Sequence, residues 1–443
     1  MIKHVIKSSI TFALLSSLTI FSGCSEVDND GENVVGDNFV SAEVIDDVNA
    51  SVMLMAVKAS IDANAVNAFG YKAVKIIYDT VNQDGESVEA SGLLVIPTAT
   101  PEYQAYLASM GKMFSISMIS ENHSTIFTEA EAPTSVEVTN GMPDYPTAVL
   151  MTGYAGFASV IPDYIGYGVS KDTAHPYMLK KASARASLDM IRASVRYMTD
   201  NNVMFNAQLY ISGYSQGGHT AMALAQEIEE NNKGEFNLMG VASMAAPHDL
   251  EALGDIEIDA SHTMVYPGFL GYLADSYAYY NEDLNLSDIV VTEDAAMYHG
   301  LFGGDYINAQ IHGALGLTEN YGFGTYTADA LFKTTFIDDY QNSSNAGAVL
   351  REKFVENSTY DWAPQTKINL IHCIDDEIIP YTMSQKAYDT FTENESPDVT
   401  LSLIPSAMIP EASATDPFVH SRCGNTAYGA AVTWFNAIRN GDI

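Results

Sequence analysis

Basic residues are scarce in this chain. Only 20 Lys and Arg stand against 56 Asp and Glu in 443 residues, which gives a formal net charge of −36 at pH 7. A surface of that sign repels polyanions, so nucleic acid, acidic phospholipid headgroups and uronate-rich polymers are poor expected partners. Neutral substrates suit the charge better.

Motifs for metals and nucleotides are also absent from the sequence. It contains no H-E-x-x-H, no paired C-x-x-C and no phosphate-cradling glycine loop. We therefore expect neither a metal site nor a bound cofactor.

The apolar run near the start, residues 10–21, is too short to cross a bilayer core of about 30 Å as a helix. Lys3 and Lys7 precede this run, and Ser22-Gly23-Cys24 follows it. Charged, apolar and small-residue regions in that order are typical of a secretory signal peptide. Residues 1–23 are therefore predicted to be a signal peptide that is removed on export.

The end of this segment resembles a bacterial lipobox. Its residues are Phe21-Ser22-Gly23-Cys24, with Phe21 where the pattern usually carries Leu. The resemblance implies that Cys24 is lipidated and becomes the first mature residue, and Ser25 after it favours sorting to the outer membrane. The expected protein is exported and lipid-anchored, on the periplasmic or the surface face. An ordinary secretory peptide with an incidental cysteine is the alternative.

Three further regions follow. Residues 24–38 are expected to be a flexible tether, because they contain too few large apolar residues to fold alone. Residues 39–249 and 362–443 are expected to form the two parts of one α/β core. Residues 250–361 are helix-like and rich in tyrosine, and they are expected to form a cap or lid inserted between two core strands.

Apolar patterns predict the elements of the core. Strand-like runs lie at residues 74–81, 90–97, 113–118, 158–162, 208–212, 241–245, 368–373 and 399–404. Helix-like periodicity lies at residues 42–58, 182–199, 218–230 and 426–439. Strands that alternate with helices predict a mostly parallel central sheet with helices on both sides.

The strongest chemical signal is G-x-S-x-G at residues 213–217, between a predicted strand and a predicted helix. Such an elbow holds its serine in strained backbone angles, and the flanking glycines let neighbouring chains approach closely. It also places the serine at a helix N-terminus, where backbone N–H groups can stabilise an oxyanion. Ser215 is therefore the predicted nucleophile, and a simple glycine-rich turn is the alternative.

A serine nucleophile needs a base, and the base needs an acid that fixes its tautomer. The acid is expected just past a late strand, where residues 372–380 resemble the H-G-x-x-D-x-x-V-P pattern of α/β-hydrolase esterases and peptidases. In this resemblance His372 takes the histidine position, Cys373 replaces the glycine and Asp376 takes the acid position. Asp375, in the same loop, remains an alternative.

The base is expected on a loop before the last helix, and residues 416–424 form such a loop. His420 lies in it and is the last of the ten histidines. It is also the one histidine C-terminal to the acid, as the family order Ser, Asp, His requires. A lone surface histidine is the alternative.

Cysteine is rare, with three residues in the chain. Once Cys24 is assigned to the anchor, Cys373 and Cys423 remain, and an even remainder in an exported chain permits one disulfide. Cys373 precedes Asp376 by three residues and Cys423 follows His420 by three, so this disulfide would clamp the two loops together. Two separate buried thiols are the alternative.

The resemblance extends to the middle of the chain. Residues 157–170 resemble the strand and the D-x-x-G-x-G-x-S loop that precede the elbow in these enzymes, and His175-Pro176-Tyr177 adds to the likeness. Residues 90–246 and 368–435 are similar to bacterial secreted lipases and esterases and, more distantly, to fungal secretory lipases. The resemblance implies an α/β-hydrolase fold and ester hydrolysis by a serine.

An oxyanion hole requires two N–H donors. Gln216 supplies one by its position after Ser215. The family often reads H-G-T in the loop that supplies the second, and this chain has Asn122-His123-Ser124-Thr125 there. The resemblance therefore assigns the second donor to Ser124 or Thr125, with an ordinary polar loop as the alternative.

The expected activity is hydrolysis of carboxylic esters through an acyl-enzyme. The tyrosines of the cap favour short-chain or sugar-linked esters, because aromatic faces suit sugar rings; the alternative is that they form the core of the cap. The expected partners are thus a small-molecule or glycan-linked ester and, through the lipid anchor only, a membrane. A serine peptidase on the same fold is the nearest alternative, and a non-catalytic glycan-binding lipoprotein is the alternative of another class.

Overall fold

The computed structural model describes residues 38–135, 148–264, 266–317, 326–409 and 418–443. The strands are β1 (Phe39–Val48), β2 (Gly70–Val81), β3 (Ser87–Thr98), β4 (Ile116–Asn122), β5 (Ala158–Pro162), β6 (Phe205–Tyr214), β7 (Asn237–Met244), β8 (Ile368–Cys373) and β9 (Val399–Ile404). The predicted signal peptide, Cys24 and all but the last residue of the predicted tether lie outside the described residues.

The α-helices of the described residues fall into a core set and an inserted set. In the core are α1 (Ala50–Ser60), α2 (Pro101–Ser109), α3 (Lys180–Asp200) and α4 (Gln216–Asn231). Between β7 and β8 lie α5 (Leu250–Glu257), α6 (Pro267–Tyr280), α7 (Leu286–Ile289), α8 (Ala295–Gly300), α9 (Asn308–Ala314), α10 (Thr334–Gln341) and α11 (Asn345–Asn357). The core resumes with α12 (Thr382–Glu393) and α13 (Val419–Asn440).

All nine strands belong to one sheet, in the order β1-β2-β3-β5-β4-β6-β7-β8-β9. The pairs from β1 to β5 are antiparallel, and the pairs from β5 to β9 are parallel. The predicted mostly parallel sheet is confirmed.

Both faces of the sheet are covered. Leu209 and Ile211 of β6 pack in a core with α3 and α4, whereas Tyr210 between them packs in a second core with α13. Successive residues of a strand point to opposite faces, so a strand that is covered on both sides is apolar at nearly every position. Burial on both faces explains why the central strands appear in the sequence as dense apolar runs.

The prediction of one helix over residues 42–58 is wrong at its start. Residues 39–48 form β1, which pairs antiparallel with β2 at the edge of the sheet. The helix begins at Ala50, where the side chain of Asn49 accepts hydrogen bonds from the N–H groups of Ser51 and Val52. The edge strand is largely exposed on both faces, so its residues carry no clear pattern of burial.

The predicted strand at residues 113–118 is shifted, because β4 continues to Asn122. Its last two residues are polar but buried, and each has a polar partner. The Ser212 hydroxyl donates to the carboxylate of Glu121, and the Asn122 amide donates to the Ser212 carbonyl at 3.2 Å. These partners satisfy polar groups that a search for apolar runs treats as a strand end.

The segment between β7 and β8 lies over the site. Because β6 and β7 are parallel neighbours, their carboxyl ends meet at the same edge of the sheet, and both Ser215 and α5 follow there. The inserted helices share an apolar cluster that includes Tyr272 and Tyr277, and Phe127 and Tyr177 from earlier loops join it. The division of the chain into a core and a cap stays a prediction.

Candidate active site

Ser215 lies at a sharp turn between β6 and α4. Its backbone angles are φ 59° and ψ −122°, a conformation that residues with a Cβ rarely adopt. A Cβ on Gly213 would overlap the backbone of Gly217, and a Cβ on Gly217 would overlap the carbonyl of Asn122. The elbow therefore requires glycine on both sides of the serine.

His420 lies between Ser215 and Asp376. Its Nε2 is 3.0 Å from Ser215 Oγ, and its Nδ1 is 2.7 Å from Asp376 Oδ2. Because the carboxylate only accepts hydrogen bonds, Nδ1 carries the proton and Nε2 presents a lone pair to the hydroxyl. The structure thus brings together the three residues predicted as nucleophile, base and acid, in the arrangement that proton transfer from serine requires.

The position of His420 differs from the predicted loop. The last helix, α13, begins at Val419 rather than near residue 426, so His420 lies in its first turn. Val419, Cys423, Ala427 and Ala431 form a buried stripe at four-residue spacing along this helix. The stripe consists largely of small residues, which carry a weak apolar signal and hid the start of the helix.

Asp376, not Asp375, contacts the histidine. The Asp376 carboxylate is buried and also accepts hydrogen bonds from the N–H groups of Ile378 and Ile379, at 3.0 and 2.8 Å. Asp375 is exposed, and its carboxylate accepts from the Ser406 hydroxyl. The geometry therefore separates the two candidates that the sequence left open.

The electrostatics of the pair stabilise a charged acid. Burial raises the pKa of Asp376, but the neighbouring His420 and His372 lower it by more. The net pKa lies well below the usual range of an aspartate. For His420, burial lowers the pKa, but Asp376 and Glu377 raise it by more, so the net pKa is raised from that of an ordinary histidine. Asp376 therefore stays ionised and favours the imidazolium.

Two contacts that the sequence did not predict hold the backbone of His420. Glu377 accepts a hydrogen bond from the His420 N–H at 3.0 Å, and the Tyr214 hydroxyl donates to the His420 carbonyl at 2.6 Å. Glu377 directly follows the acid, and Tyr214 directly precedes the nucleophile. Their positions next to the acid and the nucleophile were the one signal in the sequence that could have pointed to them. Only the fold shows which atoms they contact.

The two remaining cysteines are joined. Cys373 at the end of β8 is bonded to Cys423 in α13, with their Cα atoms 6.3 Å apart. Both residues are fully buried. The bond connects the strand that leads to Asp376 with the helix that carries His420.

Removal of this bond should lower the free energy of unfolding by about 4 kcal/mol, because it closes a loop with a sequence separation of 50 residues. Denaturant unfolding of Cys423→Ser, Cys373→Ser and the double variant measures the loss. Either single change breaks the same bond, so all three should lose similar amounts. The buried cysteines are shielded from a reductant in solution, so substitution tests the bond more directly than mild reduction does. Unfolding midpoints equal to that of the parent would contradict the prediction.

The residues expected to form an oxyanion hole lie beside the serine. Gln216 starts α4, and Thr125 lines the same cleft as Ser215. The backbone N–H groups of Gln216 and Thr125 have no hydrogen-bond partner among the described residues. The Ser124 side chain is directed elsewhere, since its hydroxyl donates to the Tyr214 carbonyl at 3.0 Å.

A mainly apolar cleft opens at Ser215, with about 600 Å³ of empty space that is partly open to solvent. Its walls come from the loops around the site and from α5 and α6 of the insertion. The lining side chains include Met178, Leu250, Leu253, Phe269, Leu270, Leu273, Ile378 and Ile379, with Tyr177, Tyr266, Glu257 and Glu377 as the larger polar ones. The cleft therefore offers an aliphatic surface next to the serine hydroxyl.

The tyrosines of the insertion are mostly core residues. Tyr272 and Tyr277 are buried in the apolar cluster of the inserted helices. Tyr279 is exposed and stacks on His299 rather than facing the cleft. Of the tyrosines grouped in this part of the chain, Tyr266 lines the cleft. The burial of Tyr272 and Tyr277 favours the alternative that the tyrosines form the core of the cap, and the sugar-linked substrate stays a prediction.

Two other histidines near the site have structural partners. Nε2 of His219, in the first turns of α4, is 2.8 Å from the Asn357 carbonyl. His248, after β7, is 3.0 Å from the Thr359 hydroxyl. Both rings are fully buried. His219 connects the C-terminal end of the inserted segment to α4, and His248 connects the two ends of that segment to each other.

Within residues 38–135, 148–264, 266–317, 326–409 and 418–443, no group of three or more His, Cys, Asp or Glu is placed to hold a metal ion. In the same part of the chain, no helix is both long and apolar enough to cross a membrane.

Both the sequence and the fold are similar to those of known lipases and esterases. The sequence model of the secretory lipase family matches residues 146–442. A search of curated proteins finds no match. Among solved structures, the chain is similar to the rice cell wall degrading esterase LipA from Xanthomonas oryzae, at 23% identity over 89% of this chain and 97% of that one, with a TM-score of 0.75.

A second similar structure is lipase A of Candida antarctica in its closed state. It is 15% identical over 90% of this chain and 83% of that chain, with a TM-score of 0.57. At these identities the similarity establishes the fold. The predicted α/β-hydrolase fold is confirmed.

Proposed function

The chain belongs to the secretory lipase family, and from that premise we propose that it hydrolyses carboxylic esters through an acyl-enzyme on Ser215. Membership of the family makes the protein a lipolytic hydrolase and indicates export. The observation that carries the finer proposal is the continuous contact from Ser215 Oγ through the imidazole of His420 to the carboxylate of Asp376.

The proposed reaction has two halves. In the first, Ser215 Oγ attacks the ester carbonyl carbon while His420 Nε2 takes its proton, and the tetrahedral intermediate then expels the alcohol, which receives that proton. In the second, His420 takes a proton from water as the water oxygen attacks the acyl-enzyme, and the acid leaves as Ser215 regains its proton. Asp376 remains a carboxylate throughout and stabilises the imidazolium.

We assign the oxyanion hole to the backbone N–H groups of Gln216 and Thr125. Two donors directed at the developing alkoxide are usually the largest electrostatic contribution in acyl transfer. Thr125 is preferred to Ser124 because it lines the cleft with Ser215, whereas the Ser124 side chain bonds to the end of β6.

The proposed substrate has an aliphatic acyl group. The leucine side chains of α5 and α6 and the isoleucines after Asp376 would bury such a group beside the serine. A short-chain ester needs only this surface, and a sugar-linked alcohol would contact the cleft tyrosines Tyr177 and Tyr266. A glycan-linked ester therefore stays within the proposal, with less support than the number of tyrosines in residues 250–361 suggests.

Two carboxylates favour a second candidate function. Glu257 and Glu377 line the cleft, and a serine peptidase or aminopeptidase on this fold would use such groups to bind the amine of its substrate. Glu257 has a partner nearby, since its carboxylate is 3.5 Å from His262 Nε2. The ester proposal is preferred because the rest of the lining is mainly apolar.

A substrate panel tests these proposals. It contains p-nitrophenyl esters of increasing acyl length, acetylated and feruloylated sugars, and aminoacyl amides. We expect the esters to be turned over and the amides to be inert; turnover of the amides alone would support the peptidase. Failure of a fluorophosphonate probe to label Ser215, with no turnover of any substrate, would leave the non-catalytic glycan-binding protein.

The pH dependence of kcat/KM should show the raised pKa of His420. The imidazole must be neutral to accept the serine proton, so activity falls as the pH is lowered through that pKa. Because the His420 pKa is raised, the midpoint of this loss should lie at a higher pH than an ordinary histidine would give. Glu377→Gln should move the midpoint to lower pH, since the Glu377 carboxylate helps to raise the pKa; an unchanged midpoint would contradict this cause.

We also propose that the mature protein is anchored by a lipid on Cys24, as its lipobox-like sequence indicates. Metabolic labelling with an alkyne fatty acid should mark the parent chain in a bacterial host. Cys24→Ala should remove the label and release the protein from the membrane fraction, and retention of both would refute the anchor.

A further inference from the structure

The segment His175-Pro176-Tyr177 contacts both residues that we assign to the oxyanion hole. His175 Nε2 is 2.8 Å from the side-chain nitrogen of Gln216, and the Tyr177 hydroxyl is 2.8 Å from Thr125 Oγ1. All of these contacts are made by side chains, so they leave the backbone N–H groups of Gln216 and Thr125 available. One short segment thus connects two residues that lie far apart in the chain.

The tautomer of His175 is set by its other nitrogen. Nδ1 is 2.7 Å from the Ile165 carbonyl, which only accepts, so Nδ1 carries the proton and Nε2 accepts from the Gln216 amide. Burial lowers the pKa of His175 to about 3, so the ring stays neutral. It therefore acts as a fixed hydrogen-bond acceptor and not as a proton carrier.

Packing restricts both rings. The His175 ring lies within 6 Å of the rings of Tyr164, Tyr167 and Tyr177. A Cβ on Gly166 would lie 2.7 Å from the His175 Cα, so the backbones are also in close contact. Tyr177 stacks on Tyr272 of α6, with centroids 4.7 Å apart and an interplanar angle of 7°. Neither ring has room to turn away from its partner.

We propose that His175 and Tyr177 are positioning residues that hold the two halves of the oxyanion hole at a fixed separation, His175 through Gln216 and Tyr177 through Thr125. This inference rests on the proposed function. The N–H donors must lie about 2.7–3.1 Å from the oxyanion, and small displacements of groups around a reacting centre cost large factors in rate. A single segment that contacts both donors fixes their separation better than two independent loops.

Tyr177→Phe and His175→Leu each remove one of these contacts. We expect each to lower kcat about tenfold with little change in KM, because the donors act on the transition state rather than on the bound ester. The affinity for a trifluoromethyl ketone, which forms a tetrahedral adduct, should fall by a similar factor. Tyr298→Phe is the matched control, since it removes a buried hydroxyl that donates to the Gly271 carbonyl within the insertion.

Two further variants separate positioning from general damage. His175→Gln keeps an acceptor oxygen and should recover much of the rate that His175→Leu loses, even if the leucine variant folds poorly. Thr125→Val breaks the Tyr177 contact from its other side, so its combination with Tyr177→Phe should be no slower than the slower single variant. Multiplicative losses in that double variant would overturn the assignment of the bond.

The proposal and its premise fail in different ways. If Ser215→Ala leaves ester hydrolysis intact, the proposed function is wrong. The second case is a parent enzyme that depends on Ser215 but whose positioning variants behave like the parent. If Tyr177→Phe, His175→Gln, Thr125→Val and His175→Leu all keep the parent kcat and ketone affinity, the positioning role is wrong and the function stands.

Discussion

Ser215→Ala is expected to lower kcat for ester hydrolysis by about 10⁶-fold, because the proposed acyl-enzyme cannot form without the hydroxyl. The oxyanion hole and the cleft would remain, so a small rate above that in water should persist. Initial rates with a p-nitrophenyl ester at high enzyme concentration would measure it. The loss should be almost entirely in kcat, since the side chain contributes little to binding of the ground state.

The control for this change is Ser194→Ala in α3. Its hydroxyl is buried and has no hydrogen-bond partner among the residues that the structure describes, so its removal should leave both turnover and labelling by a fluorophosphonate unchanged. Thermal unfolding of both variants would show that the fold is intact. A Ser215→Ala protein that still hydrolyses the ester at a comparable rate would refute the nucleophile and with it the proposed mechanism.

Asp376→Asn is expected to lower kcat by about 10⁴-fold near neutral pH. The amide nitrogen can donate to His420 Nδ1, which would place the imidazole proton on Nε2, facing the serine. In that tautomer the ring cannot accept the proton of Ser215 Oγ. The asparagine oxygen can still accept from the N–H groups of Ile378 and Ile379, so the loop should keep its shape.

Asp375→Asn provides the matched control in the same loop. Its carboxylate is exposed and contacts the Ser406 hydroxyl rather than the imidazole. We expect its kcat to stay within about twofold of the parent, since surface changes away from the site have small effects. The reverse result, with Asp375→Asn inactive and Asp376→Asn active, would contradict the assignment of the acid.

The central strands were predictable because a strand that is buried on both faces is apolar at nearly every position. Strands β5 and β8, which are buried on both faces, match their predicted bounds, and so does β9, an edge strand that is only partly buried. The sequence predicts helix where the edge strand β1 lies, because β1 is largely exposed and lacks the buried apolar run of a central strand. The end of β4 was missed for the opposite reason, since Glu121 and Asn122 are buried with polar partners from elsewhere in the sheet.

In the candidate site, too, some residues could be predicted from the sequence and others could not. Ser215 and His420 could be located from a local motif and from chain order. The choice between Asp375 and Asp376 rested on resemblance, and their contacts now distinguish them. The roles of Tyr177 and Tyr214 could not be predicted, because each depends on one atom of a residue far away in the chain.

The sequence by itself determined the elements whose causes are local: the glycines that permit the strained serine, the apolar strands, and the order of nucleophile, acid and base. Tertiary structure alone decided which distant groups meet. Only the packed sheet brings His420 within 3.0 Å of Ser215 Oγ and joins Cys373 to Cys423. The reason is physical: a residue's backbone preference and burial are properties of its own neighbourhood, whereas a hydrogen bond across the fold depends on every element that sets the distance between its two ends.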